Sequence, residues 1–292
     1  MPILFLVAGL IFGSFLNVCI YRIPRDQSII RPRSKCPACH APIAGRDNIP
    51  LVSWIVLQGC CRACGRRISL RYPVVELLTA VLFIASYAMF GLSWLTLKAC
   101  VLCFLLVGLI FMDAETGLLP SEFTYPGIAL GTLFTALAPF DTSGTAFLAR
   151  ATGEPAMRPG LWLSLLDALA GVIVGAGFYF LAWAAYYLVR KRDGLGLGDI
   201  AMMAMVATFL GLKLTVLVLV LAPVLGTICV LLMLAAASSW SWGRSSPVAS
   251  TVAPTEALLS RQVPFGVFIG VSAMVVLFGG ERIWRWYLGL FV

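Results

Sequence analysis

The chain has 292 residues, 61% of them hydrophobic and 12% charged, with a mean hydropathy of +0.97. Soluble domains carry about 25% charged residues, so the composition excludes a soluble globular protein and indicates a polytopic membrane protein. The net charge of +8 does not point to nucleic acid, because the basic residues gather in loops beside apolar runs, where they orient spans and meet anionic lipid headgroups. A span needs about 20 apolar residues. In chain order the sequence predicts spans at 2–20, 74–91, 92–112, 123–140, 168–189, 197–211, 214–237 and 264–280, eight in all, the sixth being short. The first run lacks a basic leader and a small-residue cleavage site, so it is expected to stay as a span. Pro73 and Pro264 suit the first turn of a helix, where no backbone N–H is needed.

The polar segments set the topology. The loop from Tyr21 to Tyr72 holds ten of the 21 basic residues, the loop Arg190 to Asp193 three, and Ser238 to Val263 two. With an outside N-terminus and eight spans, all three loops are cytoplasmic, which puts fifteen basic residues inside and six outside, as the positive-inside rule requires. The segment 141–160 and the tail after Glu281 then lie outside, and the Ser- and Pro-rich stretch 238–255 reads as a flexible loop.

This topology brings two acids to one face. Asp113 ends the third span at the cytoplasmic side. The chain crosses out and back, and Asp199 opens the sixth span at that same side, after Gly196-Leu197-Gly198. Acids at a lipid boundary are costly and mark function. Two carboxylates that share a proton cannot both ionise easily. The ionised member draws a proton from water, and the protonated member polarises a carbonyl, which is the chemistry of an aspartyl protease. Gly196 and Gly198 allow a tight turn and a close approach to a substrate strand. The alternative is a proton-coupled multi-span transporter using Asp113 and Asp199, although transporters place such sites near the midplane, in broken helices. Asp167 opens the predicted fifth span on the far side, some 33 Å away for about 22 helical residues; it is expected to cap that helix and not to join the pair.

Nine cysteines are present. Cys19, Cys100, Cys103 and Cys229 lie in apolar runs, where a thiol packs as a small hydrophobe. Cys36, Cys39, Cys61 and Cys64 form two C-x-x-C pairs in the basic loop, a spacing suited to one tetrahedral structural Zn²⁺. Little else in that loop can build a core, so the metal would supply its folding energy. Cys60 is an extra thiol, set aside because Cys61 keeps the spacing with Cys64. Cys36 to His40 also spells a c-type haem attachment motif, but the loop's cytoplasmic side and the second pair argue against it. The same side argues against stable disulfides. The expected fold is an all-α polytopic membrane protein of about eight transmembrane helices with a small zinc-knuckle cytoplasmic loop domain. Its parts are a first span at 1–20, a cysteine-rich domain at 21–72 and a seven-span membrane domain at 73–292.

Several ordered motifs carry a resemblance. They are Gly13-Ser14-Phe15-Leu16-Asn17-Val18-Cys19-Ile20-Tyr21-Arg22-Ile23-Pro24, Cys36-Pro37-Ala38-Cys39, Asn48 to Trp54, and Ile68 to Glu76. Phe111-Met112-Asp113 with Leu118-Leu119-Pro120, Gly196 to Asp199, and Pro264-Phe265-Gly266 follow. Together they resemble the type IV prepilin peptidase family of bifunctional leader peptidases and N-methyltransferases.

The resemblance implies that prepilins or pseudopilins of a pilus or type II secretion system are cleaved after a glycine that ends a basic leader. Cleavage would occur at the cytoplasmic face of a bacterial inner membrane. The new N-terminal residue would be methylated with S-adenosylmethionine. Asp113 and Asp199 would be the catalytic acids, and the four cysteines would support the methylation-associated domain. Glu76 is a candidate base or amine-binding carboxylate, its plainer reading being a first-turn helix acid; Gly196 and Gly198 are candidates for substrate or methyl-donor binding. No glycine-rich Rossmann fingerprint locates a methyl-donor pocket. Three positions depart from the family pattern: Glu115, Ser121 and Ala201 stand where aspartate, aspartate and lysine are usual. Glu115 lies about 200° around a helix from Asp113, so the two cannot face the same way. Arg22 and Arg71 are expected to anchor at headgroup level.

Overall fold

The computed structural model describes residues 1–138, 161–191, 196–241 and 264–289. The expectations for 141–160, Asp193 and most of the 238–263 loop fall outside these residues. The described residues are helical, with two isolated β-bridges and no sheet. The helices are α1 (Pro2–Arg22), the short α2 (Val52–Val56), α3 (Arg71–Phe90), α4 (Trp94–Thr116), α5 (Ser121–Leu137), α6 (Leu161–Arg190), α7 (Leu197–Ser241) and α8 (Phe265–Gly289).

Six of them are long and apolar enough to cross a membrane. The predicted count of eight is reached through α5, with 17 residues, and through α7, which is two helices. Gly211 interrupts α7 with φ 74° and ψ 178°. A Cβ on Gly175 of α6 would lie 2.7 Å from Thr215 and 3.2 Å from Met203. One continuous helix would hold residues 203 and 215 some 18 Å apart, so the chain reverses at Gly211. Along α8, Gly270 meets Met202 and Gly226 meets Phe268, while Gly280 meets Leu214 beside the turn. The predicted spans 197–211 and 214–237 are therefore the two arms of one helical hairpin.

Close helix approach depends on small residues. Four pairs of glycines spaced by four do this work: Gly9 and Gly13, Gly127 and Gly131, Gly171 and Gly175, Gly266 and Gly270. A Cβ at Gly9 would stand 2.5 Å from Ala80 Cα, and one at Gly13 would stand 2.7 Å from Glu76 Cα, so α1 lies backbone to backbone on α3. Gly127 and Gly131 seat α5 on Met205, Thr208 and Phe209 of α7. The central helix α4 touches α1, α3, α5, α7 and α8, and its Leu102, Leu106, Leu109 and Met112 are fully buried with Met202, Met203, Met205 and Phe209. Ser93 caps its start by accepting from Thr96 N–H, and Gly117, with φ 65°, ends it.

Asp167 corrects one expectation. The helix begins at Leu161, so Asp167 is not its cap but a buried residue of the second turn. Its carboxylate packs against Gly211, within electrostatic reach of Lys98, whose Nζ donates to Thr135 Oγ1 at 2.9 Å. This polar cluster supports the hairpin turn, at the end of α7's first arm opposite Asp199. At Gly211 a side chain would combine left-handed strain with collision against that carboxylate. Gly211→Ala is expected to lower the unfolding midpoint in detergent, at a cost on the order of 2 kcal/mol. Gly177→Ala is the control, because its Cβ meets nothing within 4 Å and should not lower the midpoint.

Candidate functional site

Asp113 sits in the last turn of α4, where its carbonyl accepts the Gly117 N–H at 2.8 Å and closes the helix. Its Oδ2 accepts the Val267 N–H at 3.0 Å, and the Gly266 N–H also bonds the carboxylate. These are free donors of the first turn of α8, and a helix N-terminus favours a carboxylate. Any side chain at Gly266 would displace this arrangement, since its Cβ would lie 2.9 Å from Asp113 Oδ2. Asp199 is the third residue of α7, and its N–H donates to Gly196 O at 3.0 Å. Leu119, in the turn after α4, bridges the two halves. It packs 2.8 Å from a Cβ at Gly198 and 2.9 Å from one at Gly266. Asp113 and Asp199 are 5% and 7% exposed and feel each other's charge. The structure thus brings the two predicted acids to one helix-end cluster built from α4, α7 and α8.

The neighbouring glycines divide their work. Gly198 makes room for Leu119, while Gly196 lies beside the Asp199 carboxylate, with a Cβ there 3.3 Å from Oδ2. Glu115 points away from Asp113, as helical geometry requires, and pairs with Arg71 at 2.6 Å. Arg71 is therefore no free headgroup anchor. Nor is Arg22, which is 9% exposed and donates to Ser28 O at 2.8 Å and Pro32 O at 2.7 Å, bracing the polar loop.

Glu76 belongs to a different place, the seam between α1 and α3. It is buried, its Oε2 accepts Leu51 N–H at 2.8 Å, and Ser14 also bonds it. Asn17 crosses the same seam to donate to Tyr72 O at 3.0 Å. The N-terminal motif thus ties α1, α3 and the polar loop together.

The sulfurs of Cys36, Cys39, Cys61 and Cys64 all lie within 4.8 Å of one another, with Cys36 and Cys64 at 4.0 Å. Tetrahedral Zn–S bonds of 2.3 Å require S–S separations of about 3.8 Å. Each knuckle folds the same way. Cys36 N–H donates to Ala41 O and Cys61 N–H to Arg66 O, both at 2.9 Å, and the fourth residue after each first cysteine, His40 or Gly65, has positive φ. The N–H groups of Cys39 and Ala38 hold the Cys36 thiol down to about 6, which favours the thiolate form that a metal ligand requires. Arg62 and Asp47 lock the intervening loop with paired bonds of 2.7 and 2.9 Å. Cys60 and His40 stand outside the four-sulfur group.

Two contributors escaped the sequence. The backbone donors of α8 reach Asp113 from 154 residues away, although Pro264-Phe265-Gly266 marked their position. Tyr179 of α6 is 4% exposed, stacks edge-on against Phe265 at 5.6 Å, and lies within electrostatic reach of Asp199. Its only sequence signal is its place four residues after Gly175, on the packed face of α6.

Residues 7–90 match the Bacterial Peptidase A24 N-terminal domain, and residues 100–231 match the Type IV leader peptidase family. The prepilin leader peptidase/N-methyltransferase of Myxococcus xanthus is 40% identical over 241 residues, which is 82% of this chain and 64% of that protein. The protein of the same name from Aeromonas hydrophila is 30% identical over 97% of this chain and 92% of its own length. That of Neisseria gonorrhoeae is 29% identical over 97% and 93%. No solved structure matches. Two matched domains in order, and a relative aligned along nearly its whole length, complete what the motifs and the acid cluster began: the chain belongs to the prepilin leader peptidase/N-methyltransferase family.

Proposed function

We propose that this chain is a membrane aspartyl endopeptidase that removes the basic leader of prepilins or pseudopilins and then N-methylates the exposed residue. The observation that carries the peptidase reading is the convergence of Asp113 and Asp199 from separate helices. One acid, ionised, takes a proton from water. The water oxygen attacks the carbonyl carbon that follows the leader's last glycine Cα. The other acid, protonated, donates to the carbonyl oxygen as it becomes an oxyanion. Collapse expels the amine, which receives the proton carried by the first acid, and the C–N bond breaks. Gly196 leaves the Asp199 carboxylate open to the substrate strand, and Gly198 lets Leu119 pack between the two acid-bearing segments. Val267 and Gly266 N–H keep Asp113 oriented.

Methylation is assigned to the N-terminal part. Cys36, Cys39, Cys61 and Cys64 would hold a structural Zn²⁺, which stabilises the loop and takes no part in bond making. S-adenosylmethionine, when bound, supplies a methyl group on a sulfonium. Glu76 stands where α1, α3 and the cysteine-rich loop meet, and it is assigned to receive the new amine. The ten basic residues of 21–72 support a cytoplasmic position for this loop and the acid pair, and the family membership supports a bacterial inner membrane and a type IV pilus or type II secretion system. The transporter alternative has no support: the acids lie at helix ends, and the relatives carry peptidase names.

Mass spectrometry of a co-expressed prepilin tests both activities at once. The expected product has lost its leader through the glycine and gained the roughly 14 Da of one methyl group. A full-length, unmodified pilin would overturn the reading.

A further inference from the structure

The acid pair has a third polar neighbour. The Tyr179 hydroxyl is fully buried and makes no hydrogen bond among the described residues. Leaving a buried hydroxyl unsatisfied costs about 1–3 kcal/mol, and nothing about packing requires it, since phenylalanine fills the same shape. The ring is held edge-on to Phe265 at 75°. Phe265 opens α8, and the two residues after it grip Asp113. Tyr179 also lies close enough to Asp199 to sense its charge. A rigid donor is thus fixed within electrostatic reach of Asp199 and against the residue that precedes Asp113's backbone donors, with no hydrogen-bond partner among the described residues.

We propose that Tyr179 is a catalytic residue of the peptidase site whose hydroxyl donates to the scissile carbonyl oxygen as it becomes an oxyanion. This rests on the acid-pair reading of Asp113 and Asp199. The protonated acid supplies one donor to that oxygen, and Tyr179 supplies the second. A donor whose partner appears only in the transition state accelerates the chemical step without tightening substrate binding. The cost of its unsatisfied hydroxyl falls on the stability of the resting protein.

The test is Tyr179→Phe in the full-length protein, purified in detergent and assayed with a prepilin beside Asp199→Asn. The expected result is a kcat lowered on the order of 100-fold with KM changed by less than about twofold. The thermal midpoint should stay equal or rise, because an unsatisfied buried polar group has been removed. A purely structural tyrosine would give a lower midpoint and no selective loss of kcat, and that outcome overturns the proposal. A KM effect at unchanged kcat also overturns it. Wild-type kinetics in Tyr179→Phe beside an inactive Asp199→Asn overturns the tyrosine assignment alone. Normal cleavage by Asp199→Asn overturns the acid pair and this assignment with it.

Discussion

Asp199→Asn is expected to abolish leader cleavage, lowering kcat by roughly 10⁴-fold or more, while the protein still folds. Asparagine keeps the shape of aspartate but cannot accept a proton from water. Asp113→Asn should behave alike, because its carbonyl oxygen can still accept the Val267 N–H bond of 3.0 Å that orients the side chain. The double variant should be no worse than either single one, since two residues acting as one unit lose their function once. Methylation of a pre-cleaved pilin should persist in all three, because Glu76 and the cysteines lie in α1–α3 and the polar loop, not in the acid cluster. The measurement is the mass of the pilin product over time, with full-length and pre-cleaved substrates run separately. Sustained cleavage by either single variant would refute the mechanism.

Replacing Cys36 and Cys61 together with serine should reduce bound zinc from roughly one per chain to background. Each knuckle then keeps one thiolate, and structural zinc sites contribute on the order of 10 kcal/mol to folding. The loop has few other means of staying folded. Among its described residues, α2 spans five residues, and only Cys36, Ser53 and Gly59 are buried between α1 and α3. The expected signature is new proteolytic cutting between α1 and α3 together with loss of methylation. Cleavage should survive, because Asp113, Asp199, Leu119 and Gly266 are positioned by α4, α7 and α8. Elemental analysis and limited proteolysis read the two effects independently. Full zinc content in the doubly substituted protein would exclude the four-cysteine site.

Much of the candidate site was legible before any coordinates. The four cysteines were readable because zinc knuckles are local, with each C-x-x-C closing its own turn, and their sulfurs indeed converge within 4.8 Å. The meeting of Asp113 and Asp199 was readable because a bilayer reduces topology to counting crossings. Glu115 was correctly separated from Asp113 by helical rotation alone, but its pairing with Arg71, 44 residues earlier, was not visible. The roles of Arg22 and Asp167 were misread for a related reason. Both look like boundary residues in the sequence, yet each is buried against a partner distant along the chain or beyond its own helix.

The sequence by itself determined the membrane class, most of the apolar helices and the cysteine set. Each of these depends on hydropathy, charge or spacing within one continuous stretch. Only the tertiary structure decided that the glycine pairs set helix against helix, that α7 folds back at Gly211, and that α8 and Tyr179 complete the surroundings of the acids. Those depend on which faces meet. Between apolar helices in an apolar solvent, that choice is governed by close packing and a few polar contacts between residues far apart in the chain, not by any property of one segment alone.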